Sequence, residues 1–238
     1  MTSLTAMRTL SNNQNGFGGD LRFGEATGLA GADKICRTIA ESAMAGAGSK
    51  TWRAFLSAVG PPVVNAIDRV GTGPWYDRMG RQVAANKADL MQQRPKGADP
   101  AIINDLPNEF GVPNHNPDGT GKLDNHDVLT GTNAMGQLFS MNLSNTCNDW
   151  TSSAATMPAT GAGGSTGGGT GGRGGRSFAP WCGHSWPGGS SMNWMSALAE
   201  GGCGAGINLM EQGGPMQGVF TVGTGGGYGA IYCFALTP

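Results

Sequence analysis

The stretch GLAGADKIC, residues 28–36, predicts the start of a helix that carries a cysteine on its apolar side. From residue 32 to residue 44 the apolar side chains return every four positions, as in Ile35, Ile39 and Ala43, and Cys36 lies in the adjacent row. No second cysteine follows for 110 residues. Cys36 is therefore open to four interpretations: a buried thiol, a catalytic nucleophile, a metal ligand, or half of a long-range disulfide.

Composition narrows the class of protein. The 238 residues are enough to bury a core without a metal or a disulfide. A net charge of −1, from 15 basic and 16 acidic residues, argues against nucleic acid as a partner. Charged residues make up 13% of the chain, while glycine fills 43 positions. A typical soluble domain carries about 25% charged residues. This balance favours a secreted or cell-surface protein.

The hydropathy pattern predicts no transmembrane segment, because no apolar run approaches the length that spans a bilayer. The first residues, MTSLTAMRTLSNNQNG, lack the basic start and the apolar stretch of a signal peptide. Two interpretations are open, a cytosolic protein or a numbering that begins near the mature N-terminus.

The rest of the chain predicts short elements separated by loops. Residues 73–84 resemble a hairpin, and residues 86–93 a short helix. Strands are predicted at residues 3–10, 50–58, 127–132, 138–143, 147–153 and 228–236. Residues 94–125 are rich in Pro, Asn, Asp and Gly and predict a long loop insertion, and a glycine-rich loop is predicted at 159–177. We expect one domain over residues 1–238.

The five cysteines do not assign their own partners. Two pairs and one unpaired residue can be chosen among positions 36, 147, 182, 203 and 233 in 15 ways. The chain has no CxxC motif, which disfavours a structural zinc site or a thioredoxin-like redox pair.

Several blocks occur in an order that resembles a known family. GLAGADKIC, KTWRAFLSA, HDVLTGT, CNDWTS and the terminal YGAIYCFAL are similar to the endostatin module of collagens XV and XVIII and to the leptospiral endostatin-like proteins. The resemblance implies a C-type-lectin-like α+β fold: an antiparallel sheet in which the two chain ends pair, one main helix, and long irregular loops. It also implies nested disulfides, Cys36 to Cys233 and Cys147 to Cys203, and hence an oxidising compartment: extracellular, cell-surface or periplasmic.

The chain departs from this family in three ways. Endostatin binds zinc through N-terminal histidines, but here the first histidine is His115. The arginine-rich heparin surface of endostatin is not evident in this sequence. Cys182 has no counterpart in the four-cysteine pattern. Neither the zinc site nor the heparin site of the family is therefore expected here.

Two stretches of the sequence suggest a calcium-binding site. Residues 114–125 place oxygen-bearing side chains at Asn114, Asn116, Asp118 and Thr120, but a carboxylate is missing from the last position of this loop, so an Asn/Gly turn is the alternative. CNDW resembles the WND triplet of sugar-binding C-type lectins at Asn148 and Asp149, with a turn capped by Asp149 as the alternative.

The segment around WCGHSW suggests a ligand platform. Trp181, Trp186 and Trp194, with Asn193, have the side-chain types that bind sugar rings, although at least one tryptophan, Trp194 first, is also suited to the core. Cys182 precedes His184 by two residues. Half a metal site, a reactive thiol, an intermolecular disulfide and a plain apolar cysteine are all open there.

Together these observations predict a non-catalytic recognition module that binds a glycan or an extracellular protein. The alternative is a self-associating structural subunit of an extracellular filament or sheath. An enzyme ranks third, because the sequence shows no partnered base and nucleophile.

Overall fold

The computed structural model describes residues 1–113, 125–155, 179–186, 192–209 and 219–236. Helices and small sheets are mixed along these residues, so the fold class is α+β, as predicted. The helices are α1 (Leu4–Ser11), α2 (Gly28–Ala43), α3 (Ala66–Arg69), α4 (Lys87–Leu90) and α5 (Cys147–Trp150). The strands are β1 (Trp52–Ala54), β2 (Trp75–Tyr76), β3 (Gln82–Ala84), β4 (Asp127–Leu129), β5 (Trp181–His184), β6 (Leu198–Ala199), β7 (Gly227–Ile231) and β8 (Cys233–Ala235).

The main helix α2 begins one turn earlier than residue 32, at Gly28. The hydroxyl of Thr27 accepts a hydrogen bond from the N–H of Ala30 at 3.2 Å and caps the helix. A Cβ atom at Gly28 would overlap the backbone of residues 149–150, and one at Gly31 would overlap the backbone of residues 21–22. The two glycines therefore let α2 pack directly against neighbouring main chain.

The first element is the helix α1, so the strand predicted over residues 3–10 is wrong. The hydroxyl of Ser3 accepts a hydrogen bond from the N–H of Ala6 and caps the helix. Met7 is fully buried, and Asn12 ends the helix in the left-handed region at φ 50°. Leu4, Met7 and Leu10 are three residues apart, a helical spacing that the mixed polarity of the segment concealed.

Four strands form one sheet in the order β6-β5-β4-β7. The β6–β5 and β5–β4 pairs are antiparallel, but β4 and β7 are parallel, so the expected antiparallel sheet is in fact mixed. Parallel neighbours need a long connection, and almost a hundred residues separate β4 from β7 along the chain. The pairs β1–β8 and β2–β3 are antiparallel, and β2–β3 confirms the hairpin predicted over residues 73–84.

The C-terminal apolar run is two strands, not the single strand predicted. β7 pairs with β4 and β8 with β1, and the carbonyl of Tyr232 between them accepts a hydrogen bond from the N–H of Phe55 at 2.9 Å. Thr2 exchanges hydrogen bonds with Ile231: its N–H donates to the Ile231 carbonyl at 2.9 Å, and its hydroxyl accepts from the Ile231 N–H at 3.1 Å. The N-terminal residues thus reach the sheet, but a helix follows instead of a paired strand.

Other strands are shorter in the structure than predicted, or are absent from the described residues. Of residues 50–58 only Trp52–Ala54 is a strand, and of residues 127–132 only Asp127–Leu129. The strands predicted over 138–143 and 147–153 are wrong, because the chain there forms turns, a 3-10 helix at Leu143–Thr146, and α5. Residues 94–113 contain no helix or strand, whereas residues 114–124 of the predicted insertion and the whole glycine-rich loop predicted at 159–177 lie outside the described residues.

Two disulfides join elements that are distant in sequence. Cys36 of α2 bonds to Cys233 of β8, and Cys147 bonds to Cys203, 197 and 56 residues apart respectively. These are the two nested pairs that the resemblance implied. In the chain-entropy view, the longer loop closure removes about 5 kcal/mol of unfolded-state entropy and the shorter about 4 kcal/mol. Cys36 therefore links the main helix to the strand that ends the described chain.

Candidate functional site

The predicted tryptophan platform is not formed as a set of three. Trp194 is 1% exposed, and its ring packs against Phe55 and Tyr232 at centroid distances of 4.7 and 5.2 Å. Its indole N–H donates to the carbonyl of Leu90. Trp194 is therefore a core residue, and it is unsuited to stacking on a ligand because its face is already covered.

Asn193 and Trp186 have local roles. The side-chain oxygen of Asn193 accepts hydrogen bonds from the N–H groups of Met195 and Ser196 and so holds a turn. Trp186 is half-buried, and its ring centroid lies 5.9 Å from that of His126.

Trp181 stacks on a residue that the sequence did not single out. Its ring lies 3.7 Å from that of Phe139, at an interplanar angle of 10°. The Trp181 indole donates to the hydroxyl of Ser196 at 2.8 Å, and the Trp181 carbonyl accepts from the N–H groups of Thr130 and Gly131. Phe139 remains 37% exposed. The hydrogen bonds to Trp181 thus fix the position of the stack, and the ring of Phe139 exposes it to solvent.

Apolar side chains near Phe139 in sequence are also exposed. Met135 is 56%, Met141 66% and Leu143 39% exposed, and the amide of Gln137 is exposed among them. Contiguous apolar side chains on a surface mark an interaction site more often than a lone one does. Trp181 and the segment 135–143 are called the aromatic surface below.

The CNDW segment forms a left-handed turn. Cys147, Asn148, Asp149 and Trp150 have φ values of 47°, 56°, 54° and 63°. Left-handed backbone costs about 1–2 kcal/mol for each non-glycine residue, so other contacts must hold it. One such contact is the Trp150 indole, which donates to the carbonyl of Ser57 at 2.7 Å from a fully buried position.

The carboxylate of Asp149 is used to hold this turn. Its oxygens accept hydrogen bonds from the N–H groups of Val59 and Gly60 at 2.7 and 3.0 Å, and from the hydroxyl of Thr146 at 3.0 Å. Asp149 therefore caps backbone, which is the alternative given for it above, while calcium binding at Asn148 and Asp149 stays a prediction. The other predicted calcium ligands, Asn114, Asn116, Asp118 and Thr120, lie outside the described residues.

Cys182 is a buried thiol in β5. It is 1% exposed, and burial, followed by the negative charges of Glu200 and Asp127, raises its pKa well above the ordinary value. A protonated and inaccessible thiol is a poor nucleophile and a poor partner for an intermolecular disulfide. Of the interpretations left open for Cys182, the small buried apolar residue fits.

A cluster of buried polar side chains lies beside Cys182 on the four-stranded sheet. His126 immediately precedes β4, Asp127 begins it, His184 ends β5 and pairs with Asp127 across the strands, and Glu200 follows β6. Their exposures are 7%, 1%, 5% and 2% in that order. These four residues are called the buried His/Asp cluster below.

The side chains of the buried His/Asp cluster converge on one carboxylate. The Nε2 atoms of His184 and His126 lie 3.2 and 3.4 Å from Oδ1 of Asp127, and the two imidazole centroids are 3.9 Å apart. The N–H of Gly225 donates to Oε2 of Glu200 at 2.7 Å. From the part of the chain that the structure describes, no hydrogen bond of regular geometry reaches either oxygen of Asp127, Nε2 of His184, or Oε1 of Glu200. Short distances without hydrogen-bond geometry are unusual for such deeply buried groups.

The two carboxyl groups titrate differently. Burial pushes the pKa of Asp127 upward, but the neighbouring His126 and His184 and the contact with Glu200 outweigh it and lower this pKa to about 2. Burial, and then the adjacent Asp127, raises the pKa of Glu200 well above its ordinary value. Glu200 therefore keeps its proton to a higher pH than Asp127 does.

Sequence reasoning identified only His184 of these four residues. One signal was present: His126 and Asp127 stand side by side at the start of an apolar strand, in a chain where only 13% of residues are charged. The partner expected for His184 was Cys182, which lies on the same face of β5. The group with metal-binding geometry is instead His126, Asp127 and His184, whose ligand atoms lie within 4.8 Å of one another.

A separate cleft of about 390 Å³ lies between α2, the β2–β3 hairpin and the β1–β8 pair. Its walls are mostly apolar and include Ile39, Trp75 and Phe234. Of the predicted ligand-binding residues that the structure describes, Trp194 contributes to this wall, as does the Cys36–Cys233 disulfide.

Comparison with models of known protein families finds none that matches this chain, and comparison with curated proteins finds no significant match. No helix among the described residues combines the length and the apolar character that crossing a lipid bilayer requires.

Proposed function

We propose that this chain is a secreted or cell-surface, non-catalytic recognition module and that its ligand is a glycan. The observation that carries the proposal is the stacked pair of Phe139 and Trp181, whose outer ring is open to solvent. Aromatic rings with amides and hydroxyls close by can contact both the apolar faces and the hydroxyl groups of a sugar ring.

The aromatic surface has the parts that such a ligand requires. Trp181 is anchored through Ser196 and through backbone hydrogen bonds from the 130–131 segment, so little ordering of the Trp181 ring is needed on binding. The exposed amide of Gln137 lies two residues from Phe139. The apolar side chains of Met135 and Met141 extend the surface on either side of Phe139 in sequence.

A C-type-lectin-like, endostatin-related fold is part of the same proposal. Its support is the order of the sequence blocks, the α+β class, and the nesting of Cys147–Cys203 within Cys36–Cys233. Two such bridges are stable in an oxidising compartment, which supports an extracellular, cell-surface or periplasmic location. A fold does not fix a function, so the ligand class depends on the aromatic surface itself.

A glycan array tests the proposal, with the purified chain applied once with millimolar calcium and once with a chelator. We expect binding that Phe139→Ser weakens tenfold or more. Phe110→Ser is the matched control, because Phe110 is also an exposed phenylalanine, at 52%, and it lies outside the aromatic surface. Binding that Phe139→Ser leaves unchanged contradicts the assignment of the surface. Silence on the array in both buffers contradicts a glycan ligand and directs the search to a protein partner.

Self-association is the second candidate, and the exposed Met135, Met141 and Leu143 favour it. Sedimentation velocity over a range of concentrations measures it. If the aromatic surface joins copies of the chain, Met141→Lys weakens the association, whereas Met79→Lys, at a residue 65% exposed in the β2–β3 turn, does not. A strictly monomeric chain at high concentration contradicts a filament or sheath subunit. Cys182→Ser should have no effect on assembly, because Cys182 is buried.

A further inference from the structure

We propose that the buried His/Asp cluster is a binding site for one divalent transition-metal ion of the Zn²⁺ type, held by His126, Asp127 and His184. The inference is independent of the glycan proposal. It stands on the convergence of three ligand atoms within 4.8 Å of one another, in a part of the sheet that is almost fully buried.

The donor set suits a first-row transition metal. Two imidazole nitrogens and one carboxylate group give a mixed nitrogen and oxygen environment, and three such protein ligands with a fourth position left open are typical of Zn²⁺. Calcium and magnesium prefer oxygen ligands alone and keep higher coordination numbers. The carboxylate of Asp127 also supplies negative charge next to the bound cation, which a buried cation requires.

The hydrogen bond behind His184 orients it as a metal ligand. Nδ1 of His184 lies 2.8 Å from the carbonyl oxygen of Trp186. A carbonyl only accepts, so Nδ1 carries the hydrogen, and in a neutral ring the lone pair is then on Nε2. That lone pair points toward Oδ1 of Asp127 at 3.2 Å. Two acceptors at this distance repel unless a cation or a proton lies between them, and a backbone carbonyl behind the ring is typical of metal-bound histidine.

Glu200 and Gly225 complete the arrangement. The N–H of Gly225 donates to Oε2 of Glu200 and so holds this carboxyl group beside Asp127, next to the three proposed ligands. Residue 225 must be small, because a Cβ atom there would overlap Oδ2 of Asp127. Asp127 and His184 themselves project from paired strands, which fixes their separation more firmly than loops would.

One other arrangement would satisfy these groups, a metal-free network in which a histidine carries a second proton and pairs with Asp127. The two alternatives differ in a direct measurement, the metal content and metal affinity of the folded chain. Neither readout depends on glycan binding, so failure of one proposal leaves the other intact.

The test uses the full chain with its disulfides intact. Elemental analysis of the purified protein is followed by removal of metal with a chelator and titration with Zn²⁺ and then with Co²⁺, whose visible absorption reports coordination. We expect about one ion per chain, and a loss of affinity of tenfold or more in His184→Gln and in Asp127→Asn. Asp68→Asn is the matched control, because the Asp68 carboxylate is exposed and belongs to α3. Saturation that both site variants leave unchanged, or no binding by the parent chain, overturns the proposal.

A second measurement needs no variant and so covers the case in which substitutions at buried positions prevent folding. X-ray absorption of the Zn²⁺-loaded parent chain should show only nitrogen and oxygen neighbours, at about 2.0–2.2 Å. A sulfur neighbour at about 2.3 Å would place the ion on Cys182 or another thiolate and would overturn the donor set proposed here.

Discussion

Gly225 packs directly against the carboxylate of Asp127, so closely that a Cβ atom at residue 225 would overlap Oδ2. The φ angle of Gly225 is not in the left-handed region, and the requirement for glycine there is one of space alone. We expect Gly225→Ala to weaken Zn²⁺ binding tenfold or more and to lower the melting temperature, because the carboxylate must leave its present position beside the two imidazoles. Calorimetric titration and thermal unfolding measure the two effects.

Gly46→Ala is the comparison for this prediction. Gly46 has open space around its Cβ position but a φ of 84°, so alanine there costs about 1 kcal/mol of stability through backbone strain alone. We expect Gly46→Ala to lower the melting temperature while leaving Zn²⁺ affinity at the parent value. Equal metal affinity in the two alanine variants would contradict the role assigned to Gly225.

The raised pKa of Glu200 predicts a dependence of stability on pH in the presence of a chelator. In the unfolded chain Glu200 loses its proton near its ordinary pKa of 4.5, whereas in the folded chain it keeps the proton to a higher pH. The folded state therefore binds more protons above about pH 4.5. The stabilisation by this group is fully present below that pH and is lost as pH rises toward the folded pKa, by up to about 1.4 kcal/mol per pH unit.

Urea unfolding between about pH 5 and pH 7 checks this prediction against Glu200→Gln, which keeps the size of the side chain but does not titrate. We expect the free energy of unfolding of the parent chain to fall relative to the variant as pH rises. Parallel curves would show that the folded pKa of Glu200 is close to its unfolded value.

Asp127 acts in the opposite sense: its lowered pKa of about 2 stabilises the fold above about pH 4, and this contribution is lost on acidification toward pH 2.

Asp149→Ala should destabilise the chain by about 2–3 kcal/mol, because the N–H groups of Val59 and Gly60 and the hydroxyl of Thr146 lose a charged acceptor. The left-handed turn then lacks one of the contacts that hold it. Chemical unfolding with and without millimolar calcium measures the change, with Asp68→Ala as the exposed-carboxylate control. A calcium-dependent stability that disappears in Asp149→Ala would instead restore the calcium-site interpretation.

The two disulfides and the free thiol of Cys182 predict the results of peptide mapping and thiol labelling. Non-reducing peptide mapping should recover Cys36 with Cys233 and Cys147 with Cys203, and it should leave Cys182 as a thiol. Cys182 is buried and its pKa is raised, so we expect no alkylation in the folded chain and complete alkylation after unfolding. A bridge between Cys36 and Cys147, or rapid labelling of native Cys182, would contradict the structure.

Local patterns predicted the elements whose apolar residues repeat regularly. The four-residue repeat around Ile35 and Ile39 identified α2, and the turn between Trp75 and Ala84 identified the β2–β3 hairpin. The strand predicted over residues 3–10 was wrong because the pattern of polar and apolar residues there fits both a strand, with period two, and a helix, with a spacing of three. The N-cap hydrogen bond at Ser3 stabilises the helix. The strand predicted over residues 147–153 was wrong for another reason. Four consecutive residues there have left-handed backbone, which non-glycine residues disfavour. This conformation persists because contacts with other parts of the chain hold Trp150, Asp149 and Cys147.

The sequence by itself determined the main helix with Cys36 on its apolar face, the β2–β3 hairpin and the low share of charged residues, because these depend on composition and on short-range periodicity. The α+β class and the pairing of the cysteines required, in addition, a resemblance to a known family. Only the tertiary structure decided that Trp194 belongs to the core, that Trp181 stacks on Phe139, and that His126, Asp127, His184 and Glu200 meet. The meeting of the four cluster residues depends on the register of β5 against β4 and β6, which brings together residues as far apart in sequence as His126 and Glu200 and leaves no local signal.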